Sequence, residues 1–463
     1  MTREALDLKI SGVVQGVGFR PFVYREAKKR DITGWVLNDV EGVKVHAEGE
    51  TLPLDRFVLA LSEEEPAAAQ VREIEIKEVP VEGFDEFEIR FSEDAAQGEA
   101  TLVSPDLATC DACVEELFDP KNRRYHYPFI NCTNCGPRFT IMRNLPYDRA
   151  ETSMAEFTMC PECAAEYDDP ADRRFHAQPD ACFECGPKVG WIETACTGGL
   201  ALQNISWAEN REESDAVFTR AAGMIAAGGI VAVKGLGGYH LVCDATNEQA
   251  LATLRQRKHR PGKAFAVMVA SVEEARALCF VDEAEEAQLT SPARPIVLLR
   301  KRPEAVLAKG LADDLPELGV MLPTTPVQHL LLHECGGMLV MTSGNIHDEP
   351  IVIDEESAFS QLGAVADGFL VNNRAIVGRY DDSVVRIING GAAGDIVQFV
   401  RRARGNAPLP VSIPCPEGSK EELLAVGPEQ KSTLTYARGG KAFVSQHIGD
   451  LESAAVLDAW NET

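Results

Sequence analysis

Four CxxC pairs constrain this chain more than any other feature. Cys110 and Cys113 are separated from Cys132 and Cys135 by eighteen residues, and the arrangement returns fifty residues on in Cys160, Cys163, Cys182 and Cys185. Residues 110–137 and 160–187 are identical at twelve of twenty-eight aligned positions, so the stretch is an internal duplication. A CxxC turn presents two thiolates to one ion, and a second turn completes a tetrahedral four-sulfur shell, the closed geometry of structural Zn²⁺. The spacing therefore predicts two structural zinc ions held by these eight cysteines, with no open position for a catalytic water. Pairing within each copy is the first choice, and cross-pairing between copies is the alternative. His126 and His176 recur in register, but each copy already has four thiols, so they are expected to hydrogen-bond to backbone or to a thiolate.

A disulfide framework would suit a short secreted chain, whereas this one has 463 residues. Single cores rarely grow beyond about 250–300 residues, so three or more domains are expected. The opening MTREALDLK has no apolar signal core, and the longest uncharged apolar run, 221–233, is shorter than the ~20 residues that span a bilayer. The expected setting is the reducing cytoplasm, with no membrane association. A net charge of −27 argues against a duplex nucleic-acid partner, because phosphate neutralisation needs a basic surface. Against that background, Leu254–Lys263 carries five basic residues and no acid, as a local site for a small anion such as a nucleotide would.

Residues 5–13 alternate as a strand, and Pro21 suits the first turn of a helix that runs to about Lys29. Strands at 32–39 and 42–49, a helix at about 53–64, and strands near 71–79 and 86–92 complete a βαββαβ order, a ferredoxin-like sandwich. Between the first strand and its helix, Gln15, Gly16, Val17, Gly18 and Phe19 form a loop whose backbone N–H groups can converge on a phosphate at a helix N-terminus. The run SGVVQGVGFR, with Asn38 at the end of the second strand, resembles the acylphosphatase signature. That resemblance implies that Arg20 binds an acyl-phosphate group, Asn38 orients the attacking water, and residues 1–92 form an acylphosphatase-like domain.

The duplicated block occupies about 105–190. From 205 to 400, helices and strands alternate as in an α/β domain. Lys258-His259-Arg260 is a KxR triplet, and Ser343-Gly344-Asn345 is an SxN triplet that follows an apolar strand. With Pro323–Pro326 and Asp381–Val385 in this order, they resemble the YrdC/Sua5 family, whose members join a carbamate-type carboxylate to ATP as an acyl adenylate. The resemblance implies a nucleotide site drawn from Lys258, Arg260, Lys263, Ser343, Asn345, Arg374, Asp382 and Ser383, with ATP and Mg²⁺ as substrate. Arg294 and Arg379 are further candidates. Residues 401–422 read as a Pro-rich linker. Residues 423–463 read as strand, turn and hairpin and resemble the opening of an actin-like ATPase (Kae1-like) domain, truncated too early to bury a core.

This ordered combination resembles the HypF family, the carbamoyltransferases of nickel–iron hydrogenase maturation. It departs from the family at Ser432, where asparagine is expected. The resemblance implies a relay: hydrolysis of carbamoyl phosphate, formation of carbamoyl adenylate with release of pyrophosphate, and transfer to a C-terminal cysteine of the partner HypE on the way to a cyanide ligand. Two rivals are a threonylcarbamoyl-adenylate synthase acting in tRNA modification and a non-catalytic zinc adaptor.

Overall fold

The computed structural model describes residues 3–14, 16–39, 42–66, 69–90, 103–144, 147–195, 199–346, 349–391, 394–416 and 421–463. The first unit runs β1 (Arg3–Val13), α1 (Phe19–Lys29), β2 (Thr33–Asp39), β3 (Gly42–Glu50), α2 (Thr51–Glu63), β4 (Gln70–Val79) and β5 (Phe87–Ile89). Its sheet order is β4-β1-β3-β2-β5. Leu8 and Ile10 fall on one face of β1, and the register shift at Ser11–Gly12 returns Val13 to that face; all three are buried. They pack with Phe19, Phe22, Val23 and Ala27 of α1 and Leu54, Phe57 and Leu61 of α2. Ile10 pairs with Val43, and Val43 pairs with Asn38. The C-terminal ends of β1 and β2 therefore lie at the same end of the sheet, which brings the glycine loop and Asn38 to one end of the domain.

The duplicated block contributes α3 (Asp111–Phe118) and α4 (Pro161–Asp168), each starting directly after the first cysteine of its copy. It is not a bead on a string. Its last strand, β6 (Val189–Glu193), is an antiparallel neighbour of β14 (Gly368–Asn372) inside the next domain's sheet. Leu117, Tyr127, Phe129, Ile130 and Met154 of the block share one buried cluster with Val217, Phe218, Val231, Leu330 and Leu370.

That sheet continues with β7 (Ser206–Trp207), β8 (Val231–Lys234), β9 (Tyr239–Asp244), β10 (Ala266–Met268), β11 (Ile296–Arg300), β12 (Glu317–Met321), β13 (Leu339–Ser343), β14, β15 (Val384–Asn389) and β16 (Asp395–Arg401). The eleven strands run β16-β15-β11-β12-β10-β13-β9-β8-β14-β6-β7, parallel at β8/β14, β10/β12 and β11/β15. Helices α5 (Arg211–Ala226) and α9 (Pro326–Cys335) bury their apolar stripes with the finger block, while α6 (Glu248–Arg257), α7 (Val272–Leu278), α8 (Glu283–Thr290) and α10 (Glu355–Leu362) belong to a second buried cluster.

The C-terminal segment differs from its sequence reading. Pro410–Ser412, inside the expected linker, is a strand (β17). It joins β18 (Glu422–Ala425), β19 (Thr435–Arg438) and β20 (Lys441–Val444) in a four-stranded sheet. A helix, α11 (Ala454–Glu462), follows and is capped by Ser453. Among the described residues no helix is long and apolar enough to cross a membrane.

Candidate functional sites

Each finger copy draws its own four cysteines together, with all four Sγ atoms within 4.8 Å of one another. Cys110–Cys132, Cys132–Cys135 and Cys135–Cys113 are 3.7, 3.8 and 3.7 Å apart. Cys160–Cys182, Cys182–Cys185 and Cys185–Cys163 are 3.8, 3.8 and 3.6 Å apart. A tetrahedron with metal–sulfur distances of about 2.3 Å has edges of about 3.8 Å, so both clusters have the dimensions of a ZnS₄ shell.

The copies interlock. Arg123 of the first copy donates to Cys163 Sγ of the second at 3.2 Å and to Glu166 at 2.6 Å, and Arg124 donates to Cys163 at 3.4 Å and to Asp180 at 3.0 Å. Reciprocally, Arg173 donates to Cys113 Sγ at 3.7 Å and to Glu116 at 2.7 Å, and Arg174 also pairs with Glu116. Burial alone would raise the Glu166 carboxyl, but hydrogen bonds from Arg124 and Arg123 outweigh it and hold it at about 2. Four thiolates around one divalent ion leave two negative charges, and these guanidinium groups offset them. The recurring histidines are not ligands of either cluster. His126 Nδ1 lies 2.9 Å from the Asp215 carboxylate of α5, a partner that neither backbone nor thiolate supplies. His176 lies close enough to Arg20 for that cation, after burial, to lower its pKa.

In the first domain, Gly16 and Gly18 take φ values of 70° and 74°, a left-handed backbone that glycine adopts without strain. Gly18 is the N-cap of α1 and accepts a hydrogen bond from the Phe22 N–H at 3.1 Å. Val17 and Phe19 are buried and anchor the loop from below, while Gln15 lies outside the described residues. Arg20 is the second residue of α1. Burial lowers its pKa, opposed by Asp148 and Tyr167 of the finger block. Asn38 Oδ1 is buried with no hydrogen-bond partner among the described residues. The finger block thus stands over this loop, a feature the linear order of motifs does not announce. Arg138, itself buried, donates to Gly16 O at 3.2 Å and to Thr133 O at 2.6 Å.

In the larger domain, Lys258 is the C-cap of α6, and His259 turns the chain with φ 52°. β13 ends at Ser343. Lys258 Nζ donates to Ser343 O (2.7 Å), Asn345 O (2.6 Å) and Asn345 Oδ1 (2.7 Å), and Ser343 Oγ donates to Asn345 Oδ1 (2.8 Å). Gly344 is obligatory between them, since a Cβ there would stand 2.6 Å from the Tyr239 carbonyl. The KxR and SxN triplets, 85 residues apart in sequence, therefore form one cluster. Burial, then Arg260, pushes Lys258 down to about 7, and burial pushes Arg260 down to about 10. Lys263 lies close enough to reinforce that cationic field.

The other candidates are placed differently. Asp382 bonds His240 at 3.0 Å and Arg404 at 2.9 Å, while Ser383 Oγ donates to Arg404 O at 2.8 Å, so both hold the 402–406 turn. Arg374 is buried over the Phe129 ring at 5.1 Å and lines a cleft of about 20 Å³ with Lys234, Asn372, Thr324 and Thr325, where none of Lys258, Arg260, Ser343 or Asn345 appears. Arg294 donates to Pro323 O at 2.6 Å. Arg379 lines a separate cavity of about 220 Å³ against α11. Asp381, which the sequence offered only as the first residue of the Asp381–Val385 motif and not as a site residue, is a neighbour of Lys258. Arg401 at 3.2 Å and His447 at 3.0 Å outweigh burial and hold its carboxyl at about 2.

Comparison with known proteins follows these divisions. The acylphosphatase family matches residues 6–89, the HypF finger family residues 109–142 and 159–192, the Sua5–YciO–YrdC family, described as telomere recombination, residues 223–403, and the HypF Kae1-like domain family residues 418–463. The acylphosphatase of Archaeoglobus fulgidus is 42% identical over 88 residues, 19% of this chain and 98% of that protein. Fold and sites thus define a multidomain chain in which an acylphosphatase domain is fused through a duplicated four-cysteine finger block to a Sua5/YrdC-like domain. The carbamoyltransferase HypF of Synechocystis sp. is 45% identical over 459 residues, 99% of this chain and 57% of that protein. A full-length HypF crystal structure in a phosphate- and nucleotide-bound form superposes with a TM-score of 0.86 at 45% identity, covering 100% of this chain and 58% of that one. The T. kodakarensis HypF structure gives 0.84 at 42% identity, covering 99% and 56%. The chain belongs to the HypF family. It spans a little over half the length of the curated relatives it matches.

Proposed function

We propose that this chain carries the first two steps of a carbamoyl relay. Carbamoyl phosphate binds at the 15–19 loop, Arg20 holds the phosphate, and Asn38 orients a water whose attack releases phosphate and carbamate. At the second site a carbamate oxygen displaces pyrophosphate from the α-phosphorus of ATP, supplied with Mg²⁺, and leaves carbamoyl adenylate. Lys258 and Arg260 carry the phosphate charge, and Ser343 and Asn345 hydrogen-bond nucleotide or carbamate oxygens. A single observation carries this reading: the KxR and SxN triplets converge on Lys258 Nζ, in a chain whose first domain presents a phosphate loop. Two structural Zn²⁺ ions, one per four-cysteine cluster, hold the block between the sites. The acceptor of the carbamoyl group is the C-terminal thiol of HypE, and the setting is the cytoplasm. The test is AMP and pyrophosphate formation with and without carbamoyl phosphate. Dependence on carbamoyl phosphate supports the relay. Turnover that needs threonine and bicarbonate instead would replace it with a threonylcarbamoyl-adenylate synthase.

A further inference from the structure

The duplication is unequal at its knuckles, and the inequality falls at the phosphate loop. Between the last two cysteines the first copy carries Thr133-Asn134, and the second carries Phe183-Glu184. Phe183 packs against the Tyr127 ring at 4.9 Å, an apolar use of the position. The first knuckle is instead pressed onto the loop between β1 and α1. A Cβ on Gly18 would stand 2.9 Å from Asn134 Oδ1 and 3.2 Å from Thr133. Arg138 staples the two segments by bonding Gly16 O and Thr133 O, and the Asn134 N–H donates to Cys132 Sγ at 3.4 Å. Thr133 Oγ1 is committed to Arg173 O at 3.0 Å. Asn134 Oδ1 is buried and has no hydrogen-bond partner among the described residues.

A buried acceptor left unpaired is destabilising, so a ligand that brings a donor to it recovers that loss. Two such acceptors, Asn38 Oδ1 and Asn134 Oδ1, belong to this end of the first domain and the knuckle laid on it. In the relay proposed above, the attacking water meets the first. We infer that Asn134 Oδ1 accepts a hydrogen bond from the NH₂ group of the acyl phosphate, which makes the first finger's knuckle the specificity-determining wall of the acylphosphatase site. This rests on the acyl-phosphate reading above and sharpens it. The site selects carbamoyl phosphate over acetyl phosphate, which has a methyl group of similar size in the same place and no donor.

The experiment compares kcat/KM for the two acyl phosphates in the full 463-residue chain, with zinc content and thermal unfolding measured alongside. Asn134→Ala should lower the carbamoyl-to-acetyl ratio by roughly ten- to a hundredfold, through loss with carbamoyl phosphate only. Asn134→Ser, which keeps a small polar side chain, serves as the second variant should the alanine chain lose zinc, and it should show a ratio between the two. An unchanged ratio overturns the inference, and so does an equal loss with both acyl phosphates, which would mean that Asn134 only supports the loop. If the unaltered chain hydrolyses neither compound, the acyl-phosphate reading itself falls, an outcome the unaltered chain's own rate identifies.

Discussion

The two candidate active sites are prepared in opposite ways. At the phosphate loop, Gly18 caps the helix with backbone and no side-chain hydrogen bond, and Asn38 Oδ1 has no hydrogen-bond partner among the described residues. At the KxR/SxN cluster every listening group already has something to hold: Lys258 Nζ makes three hydrogen bonds, and Ser343 and Asn345 bond one another. The first site gains contacts when a ligand arrives, whereas the second must exchange internal bonds for ligand bonds. Burial without a full counter-charge leaves Lys258 near neutrality at about 7, so the second site also takes up charge as it binds. A preformed cradle suits a small, short-lived acyl phosphate, and an exchangeable cluster suits a polyanion that brings its own metal.

The contrast breaks most readily at Arg20. Arg20→Ala should lower phosphate release from carbamoyl phosphate by about 10²–10³, since it removes the cation placed where charge develops. Release at the wild-type rate would mean that the loop is not the site. Lys258→Ala should lower pyrophosphate formation by about 10² and leave phosphate release unaltered, which assays of both products on one sample will show. Cys113→Ser should lose one of the two zinc ions by elemental analysis. Because the first cluster carries the knuckle laid on the loop, it should also slow phosphate release by roughly tenfold, a coupling that follows from metal-site energy being folding energy. The smallest effect is in pH. Burial depresses Lys258, so it sheds its proton as pH rises through about 7, and polyphosphate binding must restore it. ATP affinity should fall about five- to tenfold between pH 6 and pH 8, with net proton uptake on the alkaline side by calorimetry in buffers of different ionisation enthalpy. A flat profile would show that Lys258 stays charged in the free protein.

How much of this is readable in the sequence depends on the kind of signal. The eight cysteines announce themselves because ligand spacing is local, and the βαββαβ unit because strand alternation and the Pro21 helix start are local too. The cross-clamp is not readable. Arg123, Arg124 and Glu116 recur in register with Arg173, Arg174 and Glu166, but a fifty-residue offset says nothing about whether an arginine serves its own cluster or the other. The fusion of the block through β6 was hidden for a similar reason, because Val189–Glu193 is a short apolar run whose partner β14 lies far along the chain. Asp382 and Ser383 carry the right chemistry for nucleotide contact, yet they are engaged with His240, Arg404 and the 402–406 turn, which only packing reveals. The Asn134 knuckle was visible as a difference between the two copies, but it acquires meaning only once the loop it covers is known.

The relay itself is tested most directly by bypassing its first step. Arg20→Ala should make no pyrophosphate from ATP and carbamoyl phosphate, and should recover it when ammonium carbamate replaces carbamoyl phosphate. Lys258→Ala should fail with either. Pyrophosphate from the Arg20→Ala chain with carbamoyl phosphate, or no recovery with carbamate under conditions where the unaltered chain uses it, would contradict a free carbamate passing between two separate sites.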